Sequence, residues 1–174
     1  MILNSDINLT HPLWERADNE LCNNNELGIF NRLVDVYVLA CAIGIKEDKT
    51  ITDIDTPLDS SKSIGRNTHR ENLDLRDMLD FMLQNALINS DTLKLDLDER
   101  LKLAFDPDYN IKKLSAANFL TGFANYGIEK IFECIGTKSS LVAVSGLYKY
   151  FESLSESRYD EILKNITLEE LSQM

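Results

Sequence analysis

The sequence predicts an all-α fold, a compact bundle of five to seven helices forming a single domain over residues 1–174. Three observations predict it. Apolar residues recur at helical spacing through three long stretches, 27–45, 114–135 and 140–154. With 7 Gly and 3 Pro among 174 residues, few obligatory turns punctuate the chain, which disfavours many short strands. A composition of 44% hydrophobic and 27% charged residues suits an ordinary globule rather than a disordered chain. A chain of this length buries about two thirds of its unfolded surface.

The start is extended and polar. Pro12 then opens a short helix with Leu13, Trp14, Ala17 and Leu21 along one face, and Asn23-Asn24-Asn25 ends it. From Leu27 the residues Phe30, Leu33, Val34, Tyr37, Val38, Cys41 and Ile45 follow a helical period, opposite Asn31, Arg32 and Asp35. After Asp35 the pattern is apolar all round, so this helix is expected to be buried on most sides. Val36-Tyr37-Val38 is rich in strand formers, but the periodic stretch is far longer than a typical strand. Gly44 is the expected stop.

Residues 46–71 read as one long irregular loop, uncommon in a small domain and often functional. Asn72 or Asp74 then caps a helix to about Leu87, buried through Leu75, Met78, Leu79, Met82 and Ala86. A shorter helix runs from Asp96 or Asp98 to Phe105, where Asp106-Pro107 breaks it. Ser115 opens a long helix that buries Phe119, Leu120, Phe123, Ala124, Ile128, Ile131, Phe132 and Ile135. Gly122 and Gly127 each cost about 1 kcal/mol there relative to Ala. They either allow close packing, or Asn125-Tyr126-Gly127 divides the segment in two. Gly136 ends it, and Ser139 or Ser140 caps a helix carrying Leu141, Val144, Leu147, Tyr148, Phe151 and Leu154. A separate short helix, Tyr159 to Asn165, follows, then a capping box at Thr167 to Glu170.

The formal net charge is −11, unevenly spread. Residues 1–60 hold eleven acidic side chains against four basic ones, whereas Lys62, Arg66, Arg70 and Arg76 reverse the sign locally. An acidic surface repels a phosphate backbone and suits a basic protein partner, or simply keeps the chain dissolved. Three cysteines (Cys22, Cys41, Cys134) without short spacing, and a start lacking a basic n-region, point to reduced thiols and a cytoplasmic location. The longest apolar run, Val36 to Ile45, is too short to span a bilayer.

No metal or cofactor is expected. His11 and His69 are isolated, and the acidic clusters lack the Gly and terminal Glu of a calcium loop. Neither a nucleophile elbow nor a phosphate-cradling glycine loop is present, so catalysis is not expected; a small enzyme centred on His69 is the third reading. The stretch Lys62 to Arg70 is the most distinctive polar feature. Lys62, Arg66, His69 and Arg70 are the candidate contacts for phosphates of a nucleic acid or nucleotide, against a plain solvated loop. It lacks the aromatics of a single-strand stacking platform. The apolar girth of the first long helix suits a core or a subunit interface, with Tyr37, Tyr126 and Tyr148 as candidate interface residues.

Two segments resemble a family of small proteins encoded beside bacterial DNA phosphorothioation (Dnd) systems. One is Gly28-Ile29-Phe30 with the run Val34 to Lys46; the other is Phe123-Ala124-Asn125-Tyr126-Gly127-Ile128. The chain departs from that pattern at Ile45, which replaces an aromatic, at Tyr126, which replaces a glycine, and in the insertion at 46–71. The resemblance implies an accessory or regulatory role in a DNA-modification or antiphage complex, and it supplies no catalytic residues. The leading expectation is thus a non-enzymatic interaction protein with a protein partner or a second copy of itself, with no membrane partner. The alternative is a nucleic-acid- or nucleotide-binding regulator acting through 62–70.

Overall fold

The longer helices form where the apolar period predicts them, while a small sheet and a five-residue helix form where no period is visible. The computed structural model describes residues 3, 5–22, 28–52, 62–106, 108, 109, 111, 114–136 and 140–165, with side chains over 142–154 in the last segment. In order along the chain come β1 (Ile7–Leu9), α1 (Leu13–Leu21), α2 (Leu33–Glu47), β2 (Lys62–Ile64), α3 (Arg66–Arg70), α4 (Leu73–Asn89), α5 (Leu97–Phe105), α6 (Ala116–Ile135) and α7 (Ser140–Asn165). The fold is mostly helical, as the composition and periodicity predict. Backbone proximity divides the chain into two units, Met1–Phe132 and Glu133–Met174.

In the first unit, α6 up to Phe132 is the central helix. Leu120, Phe123, Ala124, Ile128 and Ile131 are fully buried, as are Trp14 of α1 and Val36, Tyr37, Ala40 and Cys41 of α2. Each such large apolar side chain contributes roughly 1.5–3 kcal/mol by leaving water. α2 and α6 cross in direct backbone contact. A Cβ at Gly44 would fall on the Phe123 carbonyl, and one at Gly127 would fall on the Ala40 carbonyl. Gly127 therefore serves close packing, and α6 runs unbroken through Asn125-Tyr126-Gly127.

Gly44 does not stop α2. The helix continues to Glu47, and Asp48 closes it in the left-handed conformation (φ 49°), its N–H donating to the carbonyls of Gly44 and Ile45. The Asp48 carboxylate then accepts the backbone N–H of Asp91 (3.0 Å), tying the end of α2 to the α4–α5 turn. The start of α2 is also later than the period predicts. Gly28 takes a positive φ of 53°, and Phe30 forms a bridge with Cys22, so the chain enters the helix only at Leu33. Local spacing reads Phe30 as helical, while tertiary pairing with the end of α1 holds it extended.

The irregular segment predicted over 46–71 is largely ordered where it is described; residues 53–61, the Asn23 to Asn25 turn and the Thr167 capping box lie outside the described residues. The Ile51 N–H donates to the Gly122 carbonyl (2.9 Å). β2 pairs antiparallel with β1 in the register Ile7↔Ile64, Asn8↔Ser63 and Leu9↔Lys62, and α3 follows at once. Strands of three residues are too short to declare a period of two.

α4 is capped by Asn72, whose Oδ1 accepts the Leu75 N–H (3.1 Å). It buries Leu75, Leu79, Leu83, Ala86 and Leu87, while Met78 is exposed, contrary to expectation. α5 begins with a full capping box between Asp96 and Glu99. Arg100 holds the connecting turn by donating to the carbonyls of Ile88, Leu93 and Leu95.

In the second unit, Gly136 (φ 62°) turns the chain out of α6. α7 then runs as one helix from Ser140 to Asn165 rather than as two. No Gly or Pro interrupts residues 147–165, and Ser155 to Arg158 only weakens helix propensity. Gly146 packs against the Cys134 carbonyl, where a Cβ would clash.

Candidate functional site

The basic stretch is dismantled as a cluster by the fold. β2 places Lys62 beside Asp18 of α1, and the pair closes at 2.6 Å with each side chain about one-third exposed. That hydrogen bond and the Asp18 charge push the Lys62 ammonium above its usual value. His69 is fully buried, its Nε2–H donating to the Ser5 carbonyl (3.2 Å), and Nδ1 has no partner among the described residues. Its ring anchors the N-terminal segment to α3 and is out of reach of a solvent phosphate or a substrate. Arg66 and Arg70 remain exposed. The backbone N–H of Arg66 is already taken by the Asp6 carboxylate (2.6 Å), which puts negative charge at the mouth of the open cleft formed by Ser5, Asp6, Gly65, Arg66 and Asn67.

The three candidate interface tyrosines separate completely. Tyr37 is buried in the core, its ring centroid 5.9 Å from that of Trp14 and its hydroxyl 3.5 Å from that of Thr121. It is unavailable to a partner because the all-apolar girth of α2 is spent on this unit's own core. Burial pushes the Tyr37 hydroxyl well above its ordinary value. Tyr126 is half-buried, donates to Glu47, and lies beneath the ammonium groups of Lys49 and Lys130 (5.4 and 5.6 Å from the ring centroid). Tyr148 of α7 is 67% exposed, in line with Val144 and Phe151 at positions i, i+4 and i+7, which are exposed too.

A polar network links α1, α6 and the 49–52 segment. Asn125, nearly fully buried, accepts from Trp14 Nε1 (2.9 Å) and donates through Nδ2 to Thr10 Oγ1 (3.2 Å) and the Ile51 carbonyl (3.1 Å). Above it opens a pocket of about 260 Å³ lined by Asn8, Thr10, Ile51, Thr52, Asn118, Thr121, Gly122 and Asn125, none of them charged. The buried amide is fully hydrogen-bonded by the protein itself. Nearby, His11 accepts the Leu13 N–H at Nδ1 (3.2 Å) and donates from Nε2 to Glu129 (3.0 Å). Among the described residues no three His, Cys, Asp or Glu side chains converge as a metal site would need, and no helix is long and apolar enough to cross a membrane.

Sequence reasoning misses a second set of exposed apolar side chains. On the α4–α5 hairpin Phe81, Leu97 and Phe105 are 66%, 60% and 61% exposed, and Leu73, Met78 and Leu101 are exposed with them. Leu97, Leu101 and Phe105 stand at i, i+4 and i+8, one line along α5; Leu73 and Phe81 stand eight apart on α4. The signal is present in that spacing, but an apolar line reads by default as core. No protein-family model, curated protein or solved structure matches this chain.

Proposed function

We propose that this protein is a non-enzymatic interaction protein, a cytoplasmic accessory or regulatory subunit that works by binding another protein through its helices. The observation that carries this reading is the set of large apolar side chains held in water on the packed pair α4 and α5: Leu73, Met78, Phe81, Leu97, Leu101 and Phe105. Contiguous exposed apolar surface on a soluble fold marks interaction sites, whereas single exposed residues are ordinary. The narrower reading, a subunit of a bacterial DNA-modification or antiphage complex, is supported by the Dnd-like segments at 28–46 and 123–128. Gly44, Asn125 and Gly127 in those segments have packing roles in this chain, so they speak for shared architecture first.

Nucleic-acid binding through 62–70 has less support. Lys62 is paired and His69 buried, which leaves two exposed arginines beside a carboxylate. An enzyme centred on His69 has less still, with the ring enclosed and its Nε2 committed to a backbone carbonyl.

The test is to tag the chain at its native locus, cross-link in cells and quantify what is recovered. A stoichiometric protein partner is expected. Recovery of the chain alone, or of nucleic acid lost steeply with salt, overturns the proposal.

A further inference from the structure

We infer that the outward surface of the α4–α5 hairpin docks a basic amphipathic helix of another protein; the inference rests on the interaction-protein reading and narrows it to one surface and one partner chemistry. Three features of the hairpin argue for that occupant. The first is spacing. Leu97, Leu101 and Phe105 form a line of exposed apolar side chains one turn apart, about 12 Å long at 1.5 Å per residue. A helix presenting anchors at i, i+3, i+4 and i+7 matches a line of that length and pitch.

The second is charge. Residues 72–109 hold nine acidic side chains against four basic ones. Arg76 pairs with Asp77 (2.9 Å) and Arg100 with Asp91 (3.8 Å), which leaves Lys94 and Lys102 exposed against the exposed carboxylates of Asp74, Asp98, Asp106 and Asp108. Asp74 and Asp98 stand exposed on the same helices as the apolar residues. An apolar line on a hairpin with more exposed carboxylates than ammonium groups complements a helix with one apolar face and lysine or arginine on the other.

The third is what this charge rejects. A second copy would bring the same excess of carboxylates against itself. An anionic lipid surface or a nucleic-acid backbone would be repelled in the same way. Of the candidate occupants, the basic helix is the one whose charge and shape both fit.

The experiment uses the full chain and two fluorescein-labelled 18-residue helical peptides of identical pattern, one of Leu and Lys and one of Leu and Glu, read by fluorescence anisotropy. The Leu–Lys peptide is expected to bind at least tenfold more tightly than the Leu–Glu peptide. The Phe81→Gln/Leu101→Gln/Phe105→Gln variant should weaken that binding at least tenfold with unchanged circular dichroism. Asp74→Asn/Asp98→Asn, which alters no packing, should weaken it at least threefold. Tyr148→Gln/Phe151→Gln on α7 should leave it unchanged.

Equal binding of the two peptides, binding of neither, or full binding by the hairpin variant overturns the inference. So does a wild-type dimer in sedimentation that the hairpin variant dissociates, which assigns the surface to a second copy. If binding is lost in the α7 variant instead, the assigned surface is wrong while the interaction-protein reading stands; that broader reading falls only with the native-locus capture.

Discussion

Two helix pairs in the first unit solve opposite problems. Where α2 crosses α6, Gly44 and Gly127 bring backbone against backbone, and Ala40, Cys41, Leu120 and Phe123 leave no surface to water. Where α4 meets α5, the inner faces are buried through Leu79, Leu83, Leu87 and Leu103, yet Phe81, Leu97 and Phe105 point outward. The first pair spends its apolar surface on stability. The second keeps part of it exposed. Both patterns look alike in sequence, as apolar residues three and four apart, so helical periodicity by itself does not say whether a face is core or contact.

Substitutions at the two places should separate them, and the largest effect is expected at the crossing. Gly127→Ala forces a methyl group onto the Ala40 carbonyl and should cost about 3 kcal/mol by urea denaturation, even after a gain in helix propensity. Phe81→Gln, on the hairpin surface, should stay within about 0.5 kcal/mol of the parent in the same measurement. Equal costs would mean that the crossing and the hairpin surface do not differ in packing.

Next in size is Asn125→Ala, which strands the Trp14 indole N–H and the Ile51 carbonyl and should cost about 2 kcal/mol in equilibrium unfolding. Trp14→Phe together with Asn125→Ala should cost much less than the two single losses combined, because the same hydrogen bond is removed twice.

The crossing should also set an alkaline limit. Burial pushes the Cys41 thiol up from 9.0 to about 12, and Tyr37 beside it is raised as well. A group whose pKa is higher in the folded chain favours folding below its unfolded value, and that contribution is lost as the pH climbs towards the folded one. Stability should therefore fall from about pH 9 upward. A denaturation midpoint that stays flat between pH 8 and 11 would contradict the burial of these groups.

Thiol chemistry gives the gentlest comparison. Cys41 and Cys22, the latter pushed up to about 11 first by burial and then by the Asp18 and Asp35 charges, should resist an alkylating reagent in the native protein. A cysteine introduced as Phe81→Cys should react at the rate of a free thiol. Mass spectrometry of timed samples reads both rates.

Much of the helical architecture is legible in the sequence, for identifiable reasons. Helix starts are legible because capping is a local interaction: of the alternatives Asn72 or Asp74 and Asp96 or Asp98, the earlier residue caps α4 and α5, and α6 begins directly after Ser115. Features that depend on distant partners are not legible. Gly44 looks like a helix stop until α6 is present, when it becomes a contact. β1 and β2 pair across more than fifty residues, and neither shows a period by itself. The candidate sites fail for the same reason: Tyr37 and His69 carry polar groups that suggest function, but burial sets their roles. The hairpin surface carries no unusual residue type, and only the tertiary arrangement distinguishes it.

The α2–α6 crossing also constrains how the chain comes off the ribosome. The α6-facing side of α2 finds its cover only when Gly127 and its neighbours have been synthesised, about 80 residues after Gly44. At roughly 5–20 residues per second that delay is about 4–16 seconds. During that interval α1 and α4 can already pack on α2, but the face that Gly44 turns towards α6 stays open to water, which gives a holding chaperone a defined window.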